Sequence, residues 1–327
     1  MKSVKRLLKL FNKKNGFFFL YFFYCNGAFS QNLSFQEYTI DQIFNGQEIQ
    51  RSYSIRLPQN QTENSYPVVF FFHGAGGNSS MFLRNDIFQM IDQNEFIGIF
   101  LDGHTKSDGR CCFWNVNNDP SPDDVDFFEL VYSFLETQEI FNLNYSYGIG
   151  TSNGASMVNK LGKETDFFSA IAPIVSQQLV YIGQISPTRP MSIFQVIGEN
   201  DTTIPPAGGL IWGSLNFLSA EESAENWANY FGCSLKEKTS LINWGSRQVQ
   251  ENIYSNCLEG REVRHHLVED VGHTINLGGE SLYQIIWNFF SSQQQIVQKN
   301  TENKIPMVGT SGILFLAMIM LTLGKIS

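Results

Sequence analysis

Basic charge is scarce in this sequence: 22 lysines and arginines stand against 31 acidic side chains over 327 residues. Within residues 31–300 the deficit deepens to 14 basic against 30 acidic, a net charge of −16. Such a surface repels phosphate backbones and anionic membranes, so nucleic acid is excluded as a partner and neutral esters suit the chain better. Also missing are a CxxC pair and any cluster of histidines, so no metal is expected. No GK[ST] follows the glycine-rich stretches, which argues against a P-loop. Neither an internal repeat nor a long linker interrupts the middle of the chain, and residues 31–300 are expected to form one unit of a size that a single α/β core supports. Histidine is rare too, with five in all, which narrows the choice of any general base.

What is present is a pentapeptide, Gly150-Thr151-Ser152-Asn153-Gly154. A serine on a sharp strand-to-helix turn needs small residues two positions either side, because the tight backbone leaves no room for Cβ atoms. Tyr145 to Ile149 reads as a short buried strand before the motif, and Ala155 to Leu161 has helix-compatible spacing after it. Three further segments give Ser152 its partners. Pro67 to Phe72 is an apolar strand running into the loop His73-Gly74-Ala75-Gly76-Gly77-Asn78, whose bare N–H groups are suited to an oxyanion. The first donor is then the N–H of Asn153, after the nucleophile, and the second that of Gly74 or Ala75. Met191 to Ile197 reads as another buried strand, and Asp201 follows its end, where a carboxylate can orient an imidazole. Val263 to Val268 reads as a strand and precedes His273, which lies on a loop before a closing helix around Ser281 to Phe290.

The order Ser152, Asp201, His273 is that of α/β-hydrolase triads, unlike the chymotrypsin and subtilisin orders. The other histidines fit structural places better. His265 and His266 lie in a strand, where one of two neighbours faces inward; His73 ends a strand and shapes the oxyanion loop; His104 sits in a loop with no matched acid. Asp270 is the rival acid, but it lies three residues from His273 and follows no strand of its own. The expected fold is therefore α/β, of the α/β-hydrolase kind, with a mostly parallel central sheet and helices on both faces. The expected chemistry is nucleophilic attack by Ser152 with no cofactor.

Taken together, the His73-Gly74 loop, Trp114-Asn115, Asp123-Asp124-Val125, Ser152-Asn153-Gly154, Gly198 to Asp201 with Ile204-Pro205, and Gly272-His273-Thr274 resemble the extracellular polyhydroxybutyrate depolymerase and feruloyl esterase family of α/β-hydrolases, which includes acetylxylan esterases. The likeness covers about Ile49 to Phe290. It implies a serine esterase with Ser152, Asp201 and His273 as catalytic residues. Feruloyl or acetyl esters of plant cell-wall polysaccharide come first as substrates, and polyhydroxybutyrate second. The chain departs from the family at Ile275-Asn276, where Trp-Pro is usual, and at Ala155, where a second glycine is usual; these positions border the substrate pocket. A catalytically lost surface binding protein and a peptidase are the other readings of the same scaffold.

Other features bear on the site and its setting. Ser121 as N-cap, Pro122 in the first turn and Asp123 with Asp124 against the dipole start a helix, a structural use of the paired acids. Trp114 is open between two places, stacking on a substrate ring or filling the core, and His73 is the second candidate for substrate contact. Residues 1–30 carry six basic side chains and no acid, an apolar run from Phe17 to Tyr24, and Ala28-Phe29-Ser30 before Gln31, which reads as a secretory signal peptide. Residues 301–327 end in an uncharged apolar stretch, read as a glycolipid-anchor signal with attachment near Asn300-Thr301 or as a transmembrane segment. Either one tethers an exported enzyme to the outer cell surface, and only this tail would meet a membrane. Cys111, Cys112, Cys233 and Cys257 form an even set, as expected in an oxidising compartment. Cys233 with Cys257 is the favoured pair; Cys111 and Cys112 are left as free thiols, a bonded adjacent pair, or partners in crossed bridges. Sequons begin at Asn32, Asn60, Asn78, Asn144 and Asn200, and a glycan on Asn200 would obstruct the acid beside it.

Overall fold

The strand from Tyr66 to Phe72 shows why the sheet lies where it does: Val68, Phe70 and Phe72 point into one apolar cluster, Val69 and Phe71 into a second, and all five are buried. A strand covered on both faces reads as a continuous apolar run, with no alternation. The protein is described from a computed structural model, which covers residues 35–304 apart from 106–108, 110 and 118, with the side chains of 295–304 set aside. The proposed signal peptide at 1–30 and the apolar tail from 305 onward lie outside the described residues. Among the described residues no helix is long and apolar enough to cross a membrane.

The elements in chain order are β1 (Gln36–Phe44), β2 (Gln47–Arg56), β3 (Tyr66–Phe72), α1 (Asn85–Asn94), β4 (Ile97–Leu101), α2 (Asp124–Glu136), β5 (Phe141–Thr151), α3 (Asn153–Glu164), β6 (Ala170–Ile174) and α4 (Val180–Gly183). There follow β7 (Ser192–Gly198), β8 (Gly209–Ile211), β9 (Leu215–Phe217), α5 (Ala220–Tyr230), β10 (Leu235–Lys238), β11 (Ile242–Trp244), β12 (Arg247–Ser255), β13 (Val263–Val268) and α6 (Leu282–Lys304). The main sheet has 11 strands in the order β1-β2-β4-β3-β5-β6-β7-β13-β12-β10, with β11 on β12. Every pairing from β4 across to β13 is parallel. The edges are antiparallel, β1-β2 on one side and β12-β10 on the other. Parallel neighbours need crossovers, and the helices that supply them cover both faces. α2, α3 and α5 bring Phe127, Phe128, Met157, Leu161 and Trp227 to one face, while α1 and α6 bring Ile87, Ile91, Ile286 and Phe290 to the other. This is the expected α/β-hydrolase architecture.

Three local expectations are corrected. α2 begins two residues later than Ser121 suggested, because Asp123 is the cap: its carboxylate accepts the Val125 N–H at 2.9 Å. The closing helix does not stop near Phe290 but runs to Lys304, so Asn300 and Thr301 lie within it. His265 and His266 are both buried, at 5% and 0% exposure, where alternation called for one. β13 lies inside the sheet between β7 and β12, with α5 packed against it and the His266 ring set against Phe194 and Trp244, so both imidazoles are covered. His265 Nδ1 accepts from Gln195 Nε2 at 3.0 Å, and His266 Nδ1 donates to Gln195 O at 3.1 Å with Glu251 Oε1 3.0 Å from its Nε2.

The burial of His265 has a consequence for acid stability. Burial, and then the neighbouring His266, push its pKa down to about 4, below the value of about 6.5 for an unfolded chain. Between those two values the unfolded state binds more protons, so stability is complete above the upper one and falls as pH drops toward the lower. His265→Gln, which keeps an acceptor for Gln195, is expected to flatten that dependence by up to about 3 kcal/mol. Urea midpoints at pH 4.5 and pH 7 for both proteins measure it; an unchanged difference between the two pH values would contradict the assignment.

Candidate active site

Ser152 stands between β5 and α3 with φ 56° and ψ −117°, a conformation that L-residues rarely adopt. Such a backbone holds the side chain out of the turn. Its N–H donates to Ile174 O at 2.9 Å and its own carbonyl accepts the Ala155 N–H at 2.9 Å, so both sides of the turn are tied down. The flanking glycines are sterically required: a Cβ on Gly150 would run into the Gly154 carbonyl, and one on Gly154 into the carbonyls of Phe72 and His73. All of these obstacles are backbone, which cannot rotate aside.

The three loops expected to converge do so. Ser152 Oγ donates to His273 Nε2 at 2.8 Å, and His273 Nδ1 donates to Asp201 Oδ2 at 2.7 Å. The other oxygen of Asp201 accepts the N–H groups of Thr203 at 2.8 Å and Ile204 at 3.0 Å. The Asp201 side chain is fully buried while that of His273 keeps 26% of its surface, so the imidazole faces an open site and its orienting acid does not. Asp270, the rival acid, lies exposed on a turn where its N–H meets Glu199. Gly198 is the residue that lets the acid and histidine loops meet. Asn200 N–H donates to Val271 O at 2.9 Å, and a Cβ at 198 would strike the carbonyls of Val271 and Gly272.

The oxyanion loop is arranged around bare amides. Gly76 N–H is taken by Cys112 O and Gly77 N–H by Gly74 O, whereas Gly74 and Ala75 donate to no backbone acceptor among the described residues. Gly74 packs on Ser152 itself, since a Cβ there would lie 3.4 Å from the serine Cβ. Asn153, as first residue of α3, has no acceptor for its N–H within the helix. Gly74 and Asn153 thus border the serine from two sides.

Two expected substrate contacts are corrected. Trp114 is 2% exposed and His73 0% exposed, so neither presents a face to a ligand. Their polar atoms hold the scaffold instead. Trp114 Nε1 donates to His73 O at 2.8 Å, and the Asn153 side chain accepts from Trp114 N at 2.7 Å and donates to Trp114 O at 3.3 Å. His73 donates Nδ1–H to Gly74 O at 2.8 Å and accepts the Gly103 N–H on Nε2 at 2.9 Å, which fixes a neutral imidazole; burial lowers its pKa accordingly. His104 also departs from expectation, having an acid partner after all in Asp124 Oδ2 at 3.2 Å.

A cavity of about 500 Å³ opens beside His273 and Thr151, lined by Phe82, Ile275, Leu277 and Tyr283 and also by the charged Arg84, Asp86 and Glu280. Ile275 and Asn276, two of the departures noted in sequence, both line it, whereas the third, Ala155, is fully buried and does not; Val175, a β-branched residue held at φ 50°, lines it too. Backbone strain of that kind collects at functional sites. The loop opposite carries Cys111 and Cys112 bonded to each other, and Cys233 is joined to Cys257. Among the described residues no group of three His, Cys, Asp or Glu side chains is placed to hold a metal ion.

No protein-family model matches the chain. Among curated proteins it is similar to feruloyl esterase B of Piromyces equi, 24% identical over 236 residues, which is 68% of this chain and 42% of that protein. It is also similar to the putative esterase NocK of Nocardia uniformis subsp. tsuyamanensis, 24% identical over 147 residues, 42% of this chain and 41% of that protein. The chain thus spans less than half the length of these two relatives. Among solved structures, acetyl xylan esterase from Aspergillus awamori superposes with a TM-score of 0.52 at 15% identity, covering 79% of this chain and 99% of that one. The likeness establishes a shared fold.

Proposed function

We propose that this protein is a serine carboxylic-ester hydrolase, exported and held at the outer cell surface, that cleaves feruloyl or acetyl esters of plant cell-wall polysaccharide. One observation carries the reading: the hydrogen-bonded succession from Ser152 Oγ through His273 to the buried Asp201. His273 takes the proton of Ser152 as the oxygen attacks the ester carbonyl, and Asp201 steadies the imidazolium that results. The amides of Asn153 and of Gly74 or Ala75 hold the tetrahedral oxyanion. The imidazolium then protonates the departing alcohol, and water, deprotonated by the same histidine, releases the acid from Ser152. Phe82, Ile275, Leu277 and Tyr283 beside His273 give an aryl acyl group apolar contact, and Arg84, Asp86 and Glu280 in the same cavity give its hydroxyl polar partners. The names of the similar feruloyl and acetyl xylan esterases point to the same substrates. Export is supported by the Cys233–Cys257 cystine.

Kinetics on methyl ferulate, p-nitrophenyl acetate and a hydroxybutyrate trimer test the reading. Turnover of methyl ferulate is expected to exceed that of the hydroxybutyrate trimer by at least about tenfold in kcat/KM, the discrimination available to one well-filled apolar pocket. The reverse order would assign the cavity to a polyester, and no turnover of any of the three would remove the hydrolase reading.

A further inference from the structure

A second cleft, of about 610 Å³, opens at the end of the sheet away from Ser152, where β5, β6, β7 and β13 begin. Arg189 and Arg261 line it together. Glu259 lines the same cleft and acts on Arg261 through its charge, but among the described residues the structure records no ion-pair contact for either arginine. Arg261 is 4% exposed and spends Nη1 on Ser169 O at 3.3 Å, but its Nε has no partner. The Nε of Arg189 is likewise buried and without a partner. Two neighbouring guanidiniums also oppose each other: burial first, and then the charge of Arg189, lower the pKa of Arg261, and Glu259 and Tyr147 offset only part of this. An anion seated between them would supply the missing acceptors and cancel the repulsion.

The remainder of the lining narrows the anion. Glu136, Glu139, Asp166 and Glu259 face the same cleft, with the ring of Tyr132. Carboxylates are acceptors for hydroxyl hydrogens. A simple oxyanion without hydroxyls would offer those four acids no hydrogen to accept, and a neutral sugar would leave both arginines without an acceptor. A ligand with one carboxylate and several hydroxyls satisfies the two sides at once. We propose that this cleft is a non-catalytic binding site for an acidic sugar, a uronate, with its carboxylate on Arg189 and Arg261 and its hydroxyls on the acidic wall. The inference does not depend on the hydrolase reading, since no residue of the cleft belongs to the triad or its loops.

Calorimetric titration of the full chain with D-glucuronate, D-glucose and inorganic phosphate tests the site, after enzymatic removal of N-glycans because Asn144 heads a sequon and lines the cleft. Glucuronate is expected to bind at least about tenfold more tightly than either comparator, and Arg189→Gln to weaken it by at least about tenfold, as loss of a charge-assisted bidentate contact predicts. Arg189 is partly exposed, so this variant is expected to keep the wild-type unfolding midpoint, and Glu136→Gln provides a second variant on the opposite wall. Absence of glucuronate binding, equal binding of glucose or phosphate, or undiminished affinity in folded Arg189→Gln would each overturn the proposal.

Discussion

Replacing Ser152 by alanine is expected to lower kcat for ester hydrolysis by about 10⁴- to 10⁶-fold, the scale on which loss of a serine nucleophile is felt, while KM changes little. The change removes only Oγ. The turn is held by the Ile174 and Ala155 hydrogen bonds and by the two flanking glycines, none of which involves the hydroxyl. The variant should therefore fold as the wild type does, with an unfolding midpoint unchanged or slightly higher, because alanine leaves no hydroxyl facing the site. Labelling by a fluorophosphonate probe should disappear in parallel. An alanine variant that retains more than about a hundredth of wild-type turnover would mean that another group attacks the ester, since the oxyanion donors alone leave only a residual rate. His273→Ala gives an independent reading: the two residues act as a unit, so the double variant should be little worse than either single one.

The largest expected effect on stability lies away from the serine. Asp124 is fully buried and receives Arg51 Nη2 at 2.5 Å, His104 Nδ1 at 3.2 Å and the Asn115 N–H at 2.5 Å. Burial alone would raise its pKa, yet His104, Arg51 and the Asn115 amide together hold it below the ordinary value. Arg51 is 4% exposed, bonds Gln42 and the Asp102 carbonyl, and lies 4.0 Å from the centre of the Phe127 ring. Arg51→Met would leave an uncompensated buried carboxylate and is expected to cost about 3–5 kcal/mol in urea unfolding. Asp124→Leu should cost a similar amount and slow ester hydrolysis as well, because the Asn115 amide loses its anchor next to Trp114, which pairs with Asn153. The double variant is expected to recover part of the loss, since two apolar groups need no compensating charge. A single-variant cost under about 1 kcal/mol would show that water reaches the pair and screens it.

How much of this was legible beforehand depends on the range of the interactions involved. The Gly150 and Gly154 pattern around Ser152 is local, and so is the apolar run of β3, because steric room and burial on both faces act on adjacent residues. The loops bearing Asp201 and His273 were readable from the strands before them. Partnerships across the sheet were not. Asp124 meets Arg51 from β2 and His104 from the loop after β4, so nothing in the Asp123-Asp124 dipeptide distinguishes a capping acid from a buried one. Trp114 stayed open between core and ligand, and His73 was given a ligand contact beside its loop role, for a related reason: an aromatic beside a glycine-rich loop can turn either way, and the choice is made by the His73 carbonyl and the Asn153 side chain, 41 and 39 residues distant. The exposed antiparallel strands at the edges, such as β10 with all four residues exposed, lack the apolar signal that marked the central strands.

The hairpin of β8 and β9 starts after the Asp201 carboxylate has already been fastened by Thr203 and Ile204, and it leaves Leu210 and Trp212 about two-thirds exposed at 65% and 66%. Its base is closed by Gly208 N–H to Pro205 O and Leu218 N–H to Gln178 O. Length and composition at its tip, residues 212–214, can thus vary without disturbing the acid, whereas Phe217 is 3% exposed and fixed in the core. That tip is the natural graft point for a longer cover, or for no cover at all.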